Sequence, residues 1–78
     1  MERIRAANSN SHNVVSYGWE PAPPVLEVEF GGRAGKPNAI YQYKGVPQSL
    51  WCRLLEAPSA GNFLNQYIKP QYECVKQL

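Results

Sequence analysis

The stretch Val25-Leu26-Glu27-Val28-Glu29-Phe30 decides the fold, because its side chains alternate between apolar and acidic. Successive residues of a β-strand point to opposite faces of a sheet, so the apolar residues share one face and the glutamates share the other. This pattern predicts a half-buried antiparallel strand with one face against a core and the other in water.

Two further strands are predicted around this one. Residues 14–17, Val-Val-Ser-Tyr, form a first short strand that ends at Gly18, and prolines between positions 21 and 24 mark the turn that follows. Residues 39–44 form a third strand after a long connection rich in glycine and proline. Tyr41 and Tyr43 lie two residues apart there, so both rings point to the same face.

The second half of the chain carries a helical pattern. Pro47 opens a first helix and Pro58 ends it, while Ser59 caps a second helix that ends at Pro70. The last residues, 72–78, are expected to be extended, either along the sheet or along a partner. Strands grouped before helices are typical of α+β proteins. We therefore predict a three-stranded antiparallel meander followed by two short helices and an extended C-terminal tail.

The composition indicates one small globular domain. The chain has 78 residues, 44% of them hydrophobic and 18% charged, which is the reverse of a disordered composition. We assign residues 1–12 to a flexible, polar N-terminal arm and residues 13–78 to the domain. No apolar run is long enough to span a bilayer, and the N-terminus has no secretory h-region. We therefore expect a cytoplasmic protein that does not use a membrane, with Cys52 and Cys74 as free thiols.

Catalysis is not expected from these residues. His12 is the only histidine and is not positioned by the sequence to activate either cysteine, and a single histidine provides no Cys–His cluster for zinc. No carboxylate pair suggests acid–base chemistry either. The sequence predicts a protein that is not an enzyme and that has no cofactor or metal.

The candidate ligand-binding residues form three groups. Tyr41 and Tyr43 could stack on bases or a nucleotide ring, or they could pack under the helices. Arg33, Lys36 and Lys44 lie on or beside the long connection and could contact phosphates, or they could be ordinary solvated charges. The remaining candidates are at the second helix: Ser59 and Asn65 could favour an anion at its N-terminus, or serve as an N-cap and a loop contact.

The order of these motifs resembles the KTSC domain family. The resemblance is carried by five segments in series: Ser16-Tyr17-Gly18, Leu26-x-Val28-x-Phe30, Tyr41-x-Tyr43, Val46-Pro47 and Ser59-x-Gly61-x-x-x-Asn65-x-x-Ile68. It extends from about Val14 to Tyr72. Two loops depart from the family pattern, since the connection from Gly31 to Asn38 is longer and more basic and the turn at Pro21–Pro24 is rich in proline.

The family implies a small protein that also occurs free-standing in bacteria and phages, and its link to lysyl-tRNA synthetases suggests RNA binding. We expect a non-enzymatic module for a nucleotide-type anion. One version is a phage-encoded homo-oligomer that sequesters a nucleotide-derived host defence signal, with copies of Arg33 and Lys36 converging on one pocket. The alternatives are an RNA-binding module, and a protein-interaction module that uses an edge strand or the tail.

Overall fold

A computed structural model of the chain describes residues 3–5, 14–32 and 35–77. Its centre is an antiparallel sheet whose five strands lie in sequence order: β1 (Arg3–Arg5), β2 (Val14–Pro21), β3 (Pro24–Phe30), β4 (Ala39–Lys44) and β5 (Cys74–Lys76). Between β4 and β5 the chain forms helix α1 (Gln48–Glu56), helix α2 (Ala60–Phe63) and a π-helical segment (Leu64–Ile68). The α+β class is therefore confirmed.

The predicted number of strands is wrong, because two short strands flank the three that the pattern indicated. Arg3–Arg5, assigned to the flexible arm, pairs with β2, and Cys74–Lys76, within the predicted tail, pairs with β4. Without these two strands, the backbone N–H and C=O groups on the outer sides of β2 and β4 would be unpaired. A short segment can pair with those groups even if its sequence has no apolar pattern. The rest of the arm prediction lies outside the described residues.

The hairpin between β2 and β3 is tighter than the prolines suggest. Strand β2 does not end at Gly18 but continues to Pro21, which lies opposite Pro24 across a two-residue turn. Both prolines therefore sit at the very end of the ladder, where a missing N–H group interrupts no further pairing.

One face of the sheet forms the core together with the helices. Leu26 lies directly opposite Tyr43, and Val28 lies opposite Tyr41, so these side chains share a face. Leu26 and Val28 are fully buried there. The helical half contributes further buried side chains to the same cluster: Val46, Leu54, Ala60, Phe63, Leu64 and Ile68.

An aromatic cluster attaches α1 to β2. The Trp19 indole Nε1 donates a hydrogen bond of 2.8 Å to the Val46 carbonyl oxygen. The ring of Trp51 stacks on Trp19 at 6.4 Å and meets the edge of Tyr17 at 5.9 Å. Trp19 and Trp51 both pack against the core cluster.

The second helical region starts as predicted and then changes its winding. Ser59 is the N-cap of α2, since its Oγ accepts a hydrogen bond of 3.3 Å from the Asn62 N–H. Further on, the Lys69 N–H donates to the Leu64 carbonyl oxygen at 2.8 Å, which is the i to i+5 bond of a π-helix. No helix among the described residues is both long and apolar enough to cross a membrane.

Candidate functional site

A pocket of about 450 Å³ opens at the Phe30 end of the helix-covered face. It is called the aromatic pocket below, and its lining residues are Phe30, Ala39, Tyr41, Tyr43, Lys69 and Cys74. The volume lies within the usual range for small-molecule sites. The sheet supplies one wall through β3, β4 and β5, and Lys69 approaches from the end of the π-helical segment.

Tyr43 forms the inner wall of the pocket and belongs to the core. Its side chain is 3% exposed and lies opposite Leu26. Burial, with smaller contributions from the nearby Cys74 and Tyr41, raises the pKa of Tyr43 to about 12. The hydroxyl therefore stays protonated at neutral pH and remains able to donate a hydrogen bond.

Tyr41 and Phe30 form the outer wall. Their rings meet edge to face, with centroids 5.8 Å apart, and both side chains remain partly exposed. Aromatic edges and faces in this arrangement leave a π surface that a planar ligand can contact. Of the two interpretations offered for the tyrosines, packing under the helices thus describes Tyr43 fully and Tyr41 in part.

Two lysines stand beside these rings. The Lys69 Nζ lies 5.1 Å from the centroid of the Phe30 ring. Lys76 on β5 lies directly opposite Tyr41 on β4, so its side chain leaves the sheet on the same face as the tyrosine. The pocket therefore combines an aromatic wall with the Lys69 amino group in its lining, and Lys76 leaves the sheet beside Tyr41 on the same face.

The lysines predicted from the sequence do not converge with each other. Lys36 lies in the connection beyond the Phe30–Ala39 end of the sheet, whereas Lys44 lies at the opposite end of β4. Five strand steps of about 3.3 Å separate the two ends of β4, or roughly 17 Å. Lys44 also points to the face opposite Tyr43. Arg33 lies outside the described residues.

The connection between β3 and β4 is tied back to the sheet. The Gly32 N–H donates to the Asn38 Oδ1 at 2.9 Å, and the Asn38 Nδ2 donates to the Glu29 Oε2 at 3.0 Å. A Cβ atom at Gly32 would overlap the backbone carbonyl oxygen of Lys36, so the loop passes too close for any other residue. These contacts hold Lys36 at the end of the sheet rather than over the pocket.

Two glutamates of β3 lie on the face of the sheet away from the helices, and both are hydrogen-bonded. Ser16 Oγ donates to Glu29 Oε1 at 2.8 Å, and Gln42 Nε2 donates to Glu27 Oε2 at 2.9 Å. These carboxylates are therefore engaged with side chains of the neighbouring strands β2 and β4.

A second cleft lies between α1 and α2 and contains Ser59. Here the Arg53 guanidinium lies over the rings of Tyr67, at 4.8 Å, and Phe63, at 5.6 Å. Ser59 reaches this cleft while its Oγ serves as the N-cap, and Asn65 is exposed further along the π-helical segment. The structure therefore does not bring Ser59 or Asn65 together with Tyr41 and Tyr43.

Sequence reasoning missed Lys69, Lys76 and Cys74 as neighbours of the tyrosines. The sequence predicted an extended tail but no pairing register, so the placement of Cys74 opposite Tyr43 and Lys76 opposite Tyr41 could not be inferred. Lys69 could have been suspected, because it directly follows the apolar stripe of the second helix and can reach along that helix's packed face.

The fold defines a two-layer α+β domain in which helices cover one face of a five-stranded antiparallel sheet. The chain belongs to the KTSC domain family, whose family model matches residues 10–72. The resemblance seen in the sequence is thereby confirmed.

Relatives and a solved structure agree with this assignment. An uncharacterized protein of Stutzerimonas stutzeri is 40% identical over 72 residues, covering 92% of this chain and 90% of the relative. A protein of Tsukamurella paurometabola is 34% identical over 65 residues, covering 83% and 90%. The crystal structure of the KTSC domain protein YPO2434 from Yersinia pestis superposes with a TM-score of 0.80 at 30% identity, covering 99% of this chain and 97% of that one.

Proposed function

We propose that this protein is a non-enzymatic binding module whose aromatic pocket takes a planar, anionic ligand of the nucleotide type. The observation that carries the proposal is the placement of Lys69 and Lys76 beside the Phe30–Tyr41 wall. A nucleobase would contact the rings, and a phosphate would lie between the amino groups. Stacking on an aromatic side chain contributes on the order of 1–3 kcal/mol per base.

The ligand expected from this geometry is small. The pocket is about 450 Å³ in volume, and the lysines near it are Lys69 at the end of the π-helical segment and Lys76 on β5. Tyr43 adds a protonated hydroxyl at the inner wall, which suits a base carbonyl or ring nitrogen as its acceptor. These features favour a mononucleotide or a cyclic nucleotide over a long RNA, whose phosphates would need a continuous basic track.

Sequestration of a nucleotide-derived defence signal by a homo-oligomer would use this same pocket. Its support is the family resemblance and the preference for a small ligand. In another version, Arg33 and Lys36 from several copies form the pocket. The position of Lys36 at the end of the sheet, away from the aromatic pocket, does not support that version. Light scattering of the purified protein measures whether the expected homo-oligomer forms.

The proposal is tested by calorimetry and thermal shift against mono-, di- and cyclic nucleotides and a short RNA. We expect a mono- or cyclic nucleotide to bind, and Tyr41→Ala and Lys69→Gln each to weaken binding by tenfold or more. Lys44→Gln is the matched control, because it removes the same charge from β4 on the opposite face and should leave affinity within about twofold.

Two results would contradict the proposal. One is the absence of binding across the whole panel. The other is an equal loss in Lys44→Gln and Lys69→Gln, which would indicate a general charge effect instead of a pocket. If the RNA bound more tightly than the nucleotides and Tyr41→Ala did not change its affinity, the result would favour the RNA-binding alternative.

A further inference from the structure

The hydroxyl group of Tyr43 ends a side chain that is otherwise enclosed. Tyr43 is 3% exposed, and its ring packs in the core cluster. The hydroxyl has no hydrogen-bond partner among the described residues, whereas every described side-chain polar atom that is shut off from solvent does have one. The small exposed part of Tyr43 therefore includes the hydroxyl oxygen.

This hydroxyl opens into the aromatic pocket. Cys74 lies directly opposite Tyr43 across the β4–β5 pair, and both residues line the pocket together with Tyr41. After burial, the nearby side chains of Cys74 and Tyr41 are the further causes that raise the pKa of Tyr43, so the hydroxyl lies close to both. An unpaired hydroxyl at the inner wall is thus available to a bound ligand.

The polar side chains of the pocket are mainly donors of hydrogen bonds. Tyr41 and Tyr43 each carry an O–H group, and a phenol donates better than it accepts because the oxygen lone pair is delocalised into the ring. Cys74 carries a weaker S–H donor, and the Lys69 ammonium group can only donate. None of the described lining residues has a carboxylate, amide or imidazole side chain.

The backbone of β4 does not supply the missing acceptors. This strand is paired on both sides, so its carbonyl oxygens are directed in the plane of the sheet toward β3 and β5. A ligand that enters the pocket from the face of the sheet therefore meets the side-chain donors first.

The nucleobases differ in what they present to such a wall. Guanine and hypoxanthine carry two adjacent acceptors, O6 and N7, whereas adenine has an amino donor in place of O6. The pyrimidines carry one exocyclic acceptor or donor on the corresponding edge. An adenine amino group at this wall would face another donor and would lose the hydrogen bond that it makes in water.

We propose that the aromatic pocket recognises an oxopurine nucleotide, with the Tyr43 hydroxyl donating to O6 and the Cys74 thiol donating to N7. This inference rests on the proposed function, because it assigns the base that occupies the same pocket. The base contacts the Phe30–Tyr41 wall, and the phosphate lies toward Lys69. Selection between purines takes place at the inner wall.

The first test compares ligands and leaves the protein unchanged. Inosine monophosphate and adenosine monophosphate differ at the edge that Tyr43 would contact, and titration calorimetry should show the inosine form binding about tenfold more tightly. Guanosine monophosphate should bind more tightly than its analogue in which a C–H group replaces N7. That second difference should be smaller, because a thiol is the weaker donor.

The second test assigns the preference to one hydroxyl. Tyr43→Phe keeps the ring, so the ratio of the two affinities should fall close to one while adenosine monophosphate binds within about twofold of its original affinity. Tyr17→Phe is the matched control, because Tyr17 is a tyrosine of β2 that is 8% exposed and packs against Trp51 outside the pocket lining. It should keep the preference. Thermal unfolding verifies that both variants fold.

The outcomes separate this inference from the proposed function. Equal affinity for inosine and adenosine monophosphates, or a preference that Tyr43→Phe leaves unchanged, would overturn the assignment of the base while nucleotide binding stood. Tighter binding of the adenosine form would overturn it as well, since acceptors would then have to line the inner wall. If no nucleotide bound at all, both the base assignment and the proposed function would fail.

Discussion

Tyr43 lies directly opposite Leu26 across the β3–β4 pair, and this pairing places a phenol hydroxyl at the boundary between the core and the aromatic pocket. The ring packs with the apolar cluster, while the hydroxyl lies near Cys74 and Tyr41. One side chain therefore contributes to stability through its ring and to the chemistry of the pocket through its oxygen.

The raised pKa of Tyr43 predicts a loss of stability in alkali. The unfolded chain releases the tyrosine proton near its ordinary pKa of 10.0, whereas the folded chain holds it until about 12. The folded state therefore binds more protons in this interval, and the free energy of unfolding falls as pH rises. Urea unfolding at several pH values above 9 measures the fall.

The control for this alkaline effect is Tyr43→Phe, which keeps the ring and removes the titrating group. Its free energy of unfolding should fall less steeply than that of the wild type between pH 10 and 12. Identical slopes for the two proteins would show that other groups cause the alkaline loss.

Trp19→Phe is expected to destabilise the protein by about 1–3 kcal/mol. The substitution removes the indole donor from the Val46 carbonyl oxygen and shrinks the stack on Trp51. Thermal unfolding should show a Tm lower by roughly 4–8 °C per kcal/mol. Leu55→Ala is the control at a 43% exposed side chain and should change stability by less than about 0.5 kcal/mol.

Ser59→Ala is expected to cost about 1 kcal/mol, because the Asn62 N–H would lose its side-chain acceptor. Ser59→Asp keeps an acceptor at the N-cap and should restore most of the stability. Ser49→Ala, an exposed position inside α1, is the matched control. Denaturant midpoints compare the four proteins, and an equal loss at Ser49 and Ser59 would contradict a capping role.

Alkylation of Cys74 should block the aromatic pocket. Both cysteines are free and exposed, but only Cys74 lines the pocket. In a Cys52→Ser background, iodoacetamide should therefore abolish binding of the nucleotide found in the panel. In a Cys74→Ser background the same treatment modifies Cys52 and should leave binding unchanged. Mass spectrometry confirms each modification. Binding that persists after Cys74 alkylation would show that the nucleotide binds outside the aromatic pocket.

The main strands were predictable because their signals are local. Leu26, Val28 and Phe30 alternate with glutamates, and Ser59 precedes a helical stripe, so side-chain period and capping chemistry were sufficient. An extended tail was predicted, but the register of β5 was not predictable, since Cys74–Lys76 has no buried face and its position depends on pairing with β4.

The site was predictable only in part for the same reason. Tyr41 and Tyr43 were chosen from their shared face, and both line the aromatic pocket. The cations that accompany them come from chain segments whose positions depend on long-range register, as with Lys76, or on helix winding, as with Lys69. Proximity in sequence instead suggested Lys36 and Lys44, which lie at opposite ends of β4.

The π-helical segment makes the length of the chain a determinant of where Lys69 points. Each residue of an α-helix turns the next side chain by about 100°, and the wider i to i+5 turn accommodates one residue more than an α-helix would. Deletion of one residue within Leu64–Ile68 could be absorbed by ordinary α-helical winding, with little disturbance to the helix before it. Lys69 would then no longer lie beside the Phe30 ring. A difference of one residue in this segment between related proteins would therefore change which side chains line the pocket.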